Sequence, residues 1–333
     1  MTTSHALTEF SGGPGVEPEF PNLYEAFLAT VGRRGDSPAI VAEDEGVTMS
    51  WDELAARARR IAGGLDSIGL KRGDRIGMLL GYRSEFIPCD LAAVSLGALP
   101  FSIYQTLAPD QIRYVLEDSG ASVVIVETAY LDNLLEATRD LDTVREIVVI
   151  DGEGGTTTLE ALEAAAPEFD PGPIAAEVGL DDPLTLIYTS GTTGPPKGVL
   201  LTQGNLMRML SAVTHGIIEL PLDTGKVISW LPAAHIAERA ANYYTPMMRG
   251  LEIHICPDPK RIIEYLPKVR PTWFFAVPRI WEKLKAGLEA NLAGLPEEQR
   301  QGATAGLEAA IRQVRLKQAG EPVPEELAAA GAR

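Results

Sequence analysis

One short loop carries the residues best suited to chemistry. An apolar stretch, Leu184–Tyr188, leads into a run of hydroxyls, glycines and prolines that ends on a lysine. The run consists of Thr189, Ser190, Gly191, Thr192, Thr193, Gly194, Pro195, Pro196 and Lys197. Glycines let the backbone approach a ligand closely, so several N–H groups can point at its oxygen atoms. Because the hydroxyls add donors and Lys197 adds a point charge, the loop predicts a polyphosphate site.

This loop differs from the phosphate loop of the P-loop nucleoside triphosphatases. That motif needs a lysine directly after its second glycine, followed by serine or threonine. Here two prolines separate Gly194 from Lys197, and Gly198 follows the lysine. The alternative interpretation is a polar turn between a strand and a helix, with no ligand.

A second group of candidates lies in the string Trp230–Arg239, which contains His235, Glu238 and Arg239. Histidine exchanges a proton near neutral pH, and Arg239, one helical turn later, can share its face. Adjacent helical residues do not face each other, so Glu238 and Arg239 do not pair with one another. A structural ion pair elsewhere in the fold is the alternative role for both residues. The string is not a zinc-protease signature, because the second histidine is missing.

The elements that must position these residues alternate between strands and helices. Continuous apolar strands, each followed by a helix, favour a parallel sheet covered on both faces, so the predicted fold class is α/β. The predicted strands are Ala39–Ala42, Val47–Ser50, Arg75–Leu80, Leu99–Ile103, Val123–Val126, Ile147–Ile150, Leu184–Tyr188, Val227–Trp230, Leu251–Cys256 and Thr272–Ala276. The predicted helices are Trp51–Ile68, one capped by Ser84 and ending near Gly97, Pro109–Gly120, Leu159–Ala166, Gln203–His215, Ala237–Arg249, Pro259–Val269, Pro278–Leu292 and Glu297–Gln318.

Size and charge narrow the classes of function. A length of 333 residues suggests two packed units, and 45% hydrophobic with 23% charged residues is typical of a globular protein. A net charge of −17 repels nucleic acid at long range, so no nucleic-acid partner is expected. Two separated cysteines, no signal peptide and no membrane-spanning run predict a cytoplasmic protein, with peripheral membrane contact left open.

The stretch Tyr188–Gly198 resembles the phosphate-loop signature of the adenylate-forming superfamily, which includes acyl-CoA synthetases, peptide-synthetase adenylation domains and beetle luciferases. Two further stretches are similar to strings of long-chain fatty acyl-CoA ligases. They are Leu231–Arg239, which reads Leu-Pro-x-x-His-x-x-Glu-Arg, and Val277–Lys283, which reads Val-Pro-Arg-x-Trp-Glu-Lys. The resemblance runs from about Pro21 to Leu292.

The resemblance implies an enzyme that activates a long-chain fatty acid with ATP and passes it to CoA, with Mg²⁺ bridging the phosphates. It implies that Thr189 through Lys197 hold the β- and γ-phosphates and that Thr189 contributes to the metal shell. It also implies that His235 lies near the reacting carbonyl. Lys197 and His235 are therefore the catalytic candidates, and Arg239 is a further candidate for contact with the substrate.

The superfamily carries later motifs that are missing before Arg333: an adenine and metal motif, a ribose motif, and a small C-terminal domain with a catalytic lysine. We therefore expect a large domain that is incomplete at its C-terminus, with the small domain absent. Because the first segment is rich in Gly, Ser, Thr and Pro, residues 1–20 are expected to form a flexible arm. By resemblance, one subdomain spans about 70–225, and a second combines about 21–69 with 226–333. Two alternatives stay open: an inactive remnant that binds nucleotide weakly or acts by interaction, and an aryl- or amino-acid-adenylating enzyme.

Overall fold

The structure is a computed structural model that describes residues 17–189, 195–214 and 222–331. The chain divides into two compact units, Met1–Phe274 and Phe275–Arg333. Strands and helices alternate through the first unit, which confirms the predicted α/β class. The subdomain limits expected from the sequence stay a prediction.

The first unit contains all the strands and most of the helices that the structure describes. The strands are β1 (Pro38–Ala42), β2 (Val47–Ser50), β3 (Arg75–Leu79), β4 (Leu99–Ser102), β5 (Val123–Val126), β6 (Glu146–Val149), β7 (Thr157–Thr158), β8 (Pro183–Thr189), β9 (Lys197–Thr202), β10 (Lys226–Ser229) and β11 (Glu252–Ile255). Its helices are α1 (Leu23–Arg34), α2 (Trp51–Ser67), α3 (Phe86–Ser95), α4 (Pro109–Ser119), α5 (Thr128–Thr138), α6 (Leu159–Ala165), α7 (Gly172–Ala175), α8 (Gln203–Ala212), α9 (Ile236–Glu238), α10 (Thr245–Arg249) and α11 (Ile262–Val269). A π-helical stretch, Arg239–Tyr244, joins α9 to α10 and is called the π segment.

One sheet is five-stranded and entirely parallel, in the order β4-β3-β5-β6-β7. All four residues of β5 are fully buried, as expected for a strand covered on both faces. The apolar run that predicted this strand therefore reflects its position in the middle of the sheet.

A second sheet has the order β10-β11-β1-β2 and joins the start of the described chain to a much later part. Strands β1 and β2 form an antiparallel hairpin, and β1 pairs in parallel with β11. Helix α2 begins directly after β2 with the predicted capping box. The Ser50 hydroxyl accepts from the Glu53 N–H at 3.1 Å, and the Ser50 N–H donates to the Glu53 carboxylate at 2.8 Å.

Strand β9 was not predicted. It pairs with β8 in an antiparallel hairpin, so the glycine-rich loop joins two strands rather than a strand and a helix. The apolar residues Val199, Leu200 and Leu201 were the available signal in the sequence. The start of α8 at Gln203 agrees with the prediction, and its predicted end, His215, lies outside the described residues.

Three other expectations were wrong in detail. Helix α3 begins at Phe86, and Ser84 does not cap it, because the Ser84 hydroxyl donates instead to the Glu45 carboxylate at 2.5 Å. The predicted helix Ala237–Arg249 begins one residue earlier and changes to π-helical geometry in its middle. The stretch Thr272–Ala276 is not a strand: the Thr272 hydroxyl accepts from the Lys226 N–H at 3.1 Å, in the place of a ladder carbonyl.

The second unit contains helices α12 (Pro278–Ala293), α13 (Glu297–Gln318) and α14 (Glu325–Gly331). The bounds of α13 are those predicted. Across the described ranges, no helix combines the length and apolar character needed to cross a membrane.

Candidate functional site

The β8–β9 hairpin brings the two ends of the predicted phosphate loop together. Thr189, the last residue of β8, is the register partner of Lys197, the first residue of β9. Both side chains are exposed, and Lys197 makes no ion pair with any residue that the structure describes. Ser190, Gly191, Thr192, Thr193 and Gly194 lie outside the described residues, so their predicted role stays a prediction.

Two tyrosines fix the base of this hairpin. The Tyr114 hydroxyl on α4 donates to the backbone oxygen of Pro196 at 3.0 Å. The Tyr188 hydroxyl on β8 donates to a carboxylate oxygen of Asp118 at 2.8 Å. Burial and the hydrogen bond to Asp118 raise the pKa of Tyr188, so the phenol stays protonated and donating. Tyr188 of β8 and Pro196, the residue before β9, are therefore both held against α4.

His235 stands at the end of the segment Trp230–His235, here called the histidine loop, which connects β10 to α9. Its side chain is exposed, and its Nδ1 accepts the Ala237 N–H at 3.2 Å. A ring nitrogen that accepts carries no proton, so this bond assigns the neutral tautomer with the proton on Nε2. The outer ring nitrogen of His235 is therefore a hydrogen-bond donor.

A cavity of about 330 Å³ lies between the hairpin and the histidine loop. Its mainly apolar lining comprises Tyr104, Leu107, Val115, Ile187, Tyr188, Thr189, Pro196, Ala234, His235 and Ile236. Two predicted site residues, Thr189 and His235, thus meet at one cavity. Lys197 is not part of the lining and lies across the hairpin from Thr189.

A larger, more open cleft of about 730 Å³ contains none of the predicted residues. It lies at the amino ends of β10 and β11 and includes the basic residues Arg34, Lys226, Lys268 and Arg270. Arg34 and Lys268 belong to the last turns of α1 and α11, where cations complement the negative ends of the helices. Helix termini therefore account for much of this basic character, and the smaller cavity is the better candidate site.

Arg239 has a position that argues against contact with a substrate. Its side chain is fully buried and ion-paired with Asp90 on α3. It also donates to the Thr185 hydroxyl at 2.5 Å and to the backbone oxygen of Pro100 at 3.2 Å. These bonds connect the π segment to α3, β4 and β8. The geometry thus favours the structural alternative, an ion pair elsewhere in the fold, and contact between Arg239 and a substrate stays a prediction.

Glu238 is the remaining candidate of the histidine string. Its carboxylate is fully buried and accepts from the Leu231 N–H at 3.1 Å and from the Asn242 amide at 2.7 Å. Glu238 and Arg239 therefore point to different partners, as expected for adjacent residues on a helix. The spacing of residues in the histidine string does not predict the bond between Glu238 and Leu231.

A magnesium ion would need more donors than Thr189 supplies. Protein Mg²⁺ sites use one or two carboxylates together with phosphate oxygens. Throughout the described ranges there is no cluster of three or more His, Cys, Asp or Glu side chains that could hold a metal ion. Thr189 offers a single hydroxyl, so these residues do not form a metal site by themselves. The metal role of Thr189 stays a prediction.

Comparison with known proteins places this geometry in a family. A family model described as AMP-binding enzyme matches residues 27–331. The long-chain-fatty-acid–CoA ligase FadD15 of Mycobacterium bovis is 34% identical over 245 residues, which are 72% of this chain and 40% of that ligase. The chain thus spans well under half the length of this curated relative.

Solved structures agree in fold. The N-terminal domain of FACL13 from Mycobacterium tuberculosis, bound to an inhibitor, has a TM-score of 0.70 at 26% identity, covering 80% of this chain and 65% of that one. A benzoate CoA ligase from Burkholderia xenovorans LB400 has a TM-score of 0.68 at 23% identity, covering 78% of this chain and 51% of that one, which shows the fold alone. Since the family match extends over nearly all of the sequence, the chain belongs to the AMP-binding enzyme family.

Proposed function

We propose that this chain forms the phosphate-binding and carboxylate-facing part of an AMP-forming, long-chain fatty acid–CoA ligase. The observation that carries the proposal is the meeting of Thr189 and His235 at one apolar cavity, with Lys197 directly across the hairpin from Thr189. Family membership and the similarity to FadD15 support the class of reaction and the class of acid.

The first step joins two anions, the fatty carboxylate and ATP. A carboxylate oxygen attacks the α-phosphorus, a new P–O bond forms, and the bond to the β-phosphate oxygen breaks, which releases pyrophosphate. A net charge of −17 opposes the approach of both substrates, so local donors must offset it. The Thr189 hydroxyl and the Lys197 ammonium are exposed donors at the ends of the loop, suited to holding the leaving pyrophosphate.

His235 can act on the acid side of the same step. Its Nε2–H donates to an oxygen that carries charge as the carboxylate attacks, while the bond from Ala237 to Nδ1 holds the ring. In the second step the CoA sulfur attacks the acyl carbon, the bond from that carbon to the AMP oxygen breaks, and the thiol loses its proton. The same donor then lies near the carbonyl oxygen of the acyl group.

The proposal is tested by exchange of labelled pyrophosphate into ATP, assayed with the protein that carries this chain. Exchange should depend on a carboxylic acid and should be fastest with acids of long chain, such as palmitate. Each buried methylene contributes about 0.8 kcal/mol to binding, so the exchange rate should fall steeply as the acid becomes shorter. Exchange that is independent of any acid, or no exchange with acids of any length, would contradict the assignment.

The same panel separates the two alternatives. A compact cavity of about 330 Å³ also suits an aromatic acid, and the benzoate ligase shares the fold. If benzoate or amino acids outperform palmitate, the aryl- or amino-acid-activating alternative is correct. If the chain binds pyrophosphate while no acid supports exchange, the remnant alternative is correct.

A further inference from the structure

The histidine loop is held at both ends by one residue. Glu238 Oε2 accepts from the N–H of Leu231, near the start of the loop, at 3.1 Å. The backbone N–H of Glu238 donates to the oxygen of His235, at the end of the loop, at 3.0 Å. Within the loop, the His235 N–H donates to the oxygen of Pro232 at 2.9 Å. Glu238 thus closes the loop that carries His235.

The helix that follows the loop is held at two further points. The Asn242 amide, one turn later, donates to the same oxygen of Glu238 at 2.7 Å and orients the carboxylate. The next residue, Arg239, is ion-paired with Asp90, and within the described ranges it makes no hydrogen bond or ion pair with the Glu238 side chain. The helix is therefore anchored by Arg239, while the loop in front of it is held by Glu238.

Hydrophobic packing alone does not explain a carboxylate at this position. Glu238 is fully buried, and in the described part of the chain it makes no salt bridge within 4 Å. An unpaired buried carboxylate is costly unless hydrogen bonds stabilise it. Here burial raises the pKa of Glu238 to about 7, and the hydrogen bonds from Asn242 and the Leu231 N–H to Oε2 act in the opposite direction, while Oε1 has no hydrogen-bond partner in the described part of the chain. Titratable groups facing it are Tyr82, from the segment after β3, and Tyr243 of the π segment.

We propose that Glu238 is a positioning residue whose carboxylate holds the histidine loop so that His235 stays at the cavity. The importance of this placement for catalysis rests on the proposed function. The placement itself is a property of the chain alone and can be measured without any reaction. Glu238 touches no substrate in this account and acts only through His235.

The test uses two substitutions that differ in one property. Glu238→Gln keeps an oxygen acceptor for Leu231 and removes the titrating proton, whereas Glu238→Leu keeps the bulk and removes the acceptor. The 333-residue chain is labelled with ¹⁵N at both histidine ring nitrogens, and the His235 signal is identified by its loss in His235→Asn. The control is Leu65→Ala, a buried substitution on α2 that should destabilise the fold without touching the loop.

The wild-type signal should show the Nε2–H tautomer of His235. We expect Glu238→Gln and Leu65→Ala to retain it, and Glu238→Leu to shift it to an averaged position or split it. If Glu238→Leu lowers the unfolding temperature as Leu65→Ala does, yet leaves the His235 signal in place, Glu238 is only structural and the proposal is wrong.

A second measurement decides the matter even if Glu238→Leu does not fold. The amide proton of Leu231 donates to the carboxylate, so its chemical shift should follow the ionisation of Glu238 with a midpoint near pH 7. Glu238→Gln should abolish this titration. A Leu231 amide that does not titrate in the wild-type chain, or that titrates equally in Glu238→Gln, would overturn the assignment.

In the protein that carries this chain, the positioning role predicts a separation of kinetic constants. Glu238→Leu should lower kcat on the order of 10²-fold, because a small misplacement of a catalytic group has an effect of that size. KM for ATP should change by less than about threefold, since Lys197 and Thr189 are untouched. Glu238→Gln should restore kcat. Equal effects of both substitutions on kcat would contradict positioning through the acceptor.

Discussion

Gly198 lies directly across the β8–β9 ladder from Tyr188, and this pairing leaves little room for a side chain next to Lys197. A Cβ atom on Gly198 would fall 3.2 Å from Cζ and 3.3 Å from the hydroxyl oxygen of the Tyr188 ring. The ring cannot turn away freely, because its hydroxyl donates to Asp118 at 2.8 Å. The glycine is thus a condition for the close hairpin that presents Thr189 and Lys197 together.

We therefore expect Gly198→Ala to press on Tyr188 and open the mouth of the phosphate loop. Overpacking of this kind costs about 1–3 kcal/mol in unfolding free energy. Calorimetric titration should show weaker binding of pyrophosphate to the chain. The matched control is Gly32→Ala in α1, where an added Cβ meets nothing within 4 Å and should stabilise the helix by about 0.5–1 kcal/mol. If Gly198→Ala and Gly32→Ala had the same unfolding free energy and the same affinity for pyrophosphate, the argument for a close hairpin would be wrong.

Substitutions of His235 should separate its two nitrogens. Glutamine places a donor near the position of Nε2, and asparagine places an acceptor near that of Nδ1. We expect His235→Gln to retain more pyrophosphate exchange than His235→Asn, which should lose about 10²–10³-fold, as for other donors that stabilise developing charge. His235→Asn should in turn keep the bond to Ala237 and unfold at the wild-type temperature. The reverse ranking of exchange rates would show that His235 does not act through Nε2.

The Asp90–Arg239 pair should matter for stability rather than for binding. Arg239→Met leaves a buried carboxylate without its partner, so it should cost about 3–5 kcal/mol in urea unfolding. The double substitution Asp90→Leu with Arg239→Met should recover much of this loss. As a control, Lys71→Ala breaks an exposed pair with Asp66 and should cost less than about 1 kcal/mol. Loss of substrate binding in Arg239→Met at unchanged stability would support the predicted substrate role.

The raised pKa of Glu238 predicts a dependence of stability on pH. Its pKa is about 7 in the folded chain against an ordinary value of 4.5, so the folded state holds this proton more tightly than the unfolded state. Ionising Glu238 therefore opposes folding, with a cost that grows as pH rises from about 4.5 to 7 and is constant above.

Glu238→Gln should consequently stabilise the chain relative to wild type above pH 7, by on the order of 1–3 kcal/mol, with the difference disappearing toward pH 4.5. Urea unfolding at a series of pH values measures it. Glu43→Gln, at an exposed position, is the control and should change the unfolding free energy by less than about 0.5 kcal/mol. A gain that is the same at every pH would show that the carboxyl does not titrate as described.

Local sequence signals predicted most of the elements around the site. The capping box of Ser50 and Glu53 fixed the start of α2, and the apolar run Val123–Val126 identified a central strand, because both depend on neighbouring residues. The glycine- and threonine-rich loop and the histidine string likewise drew attention to Thr189 and His235. Their meeting at one cavity depends on the packing of β8 against a much later segment, which only the structure shows.

The errors share a different cause. The Ser84 hydroxyl donates to Glu45, and Arg239 is ion-paired with Asp90. In both cases the partner is far away in the sequence, so neighbouring residues do not indicate the interaction. The stretch Thr272–Ala276 has residue types typical of a strand, yet the Thr272 hydroxyl accepts the Lys226 N–H in place of a backbone oxygen. The partner of Glu238 could not be predicted for the same reason, since its bond to Leu231 depends on how the histidine loop folds back.

The central claim is that the hairpin ending in Thr189 and Lys197 binds the phosphates during acid activation. Its most direct test is acid-dependent pyrophosphate exchange beside thermal unfolding, in the protein that carries this chain, for Lys197→Ala and for Lys260→Ala at another exposed lysine. We expect Lys197→Ala to slow exchange, with a loss of about 2–4 kcal/mol of transition-state stabilisation. Its unfolding free energy should change by less than about 0.5 kcal/mol. Lys260→Ala should change neither. Exchange that is unaffected by Lys197→Ala, or that falls only in step with unfolding, would contradict the account.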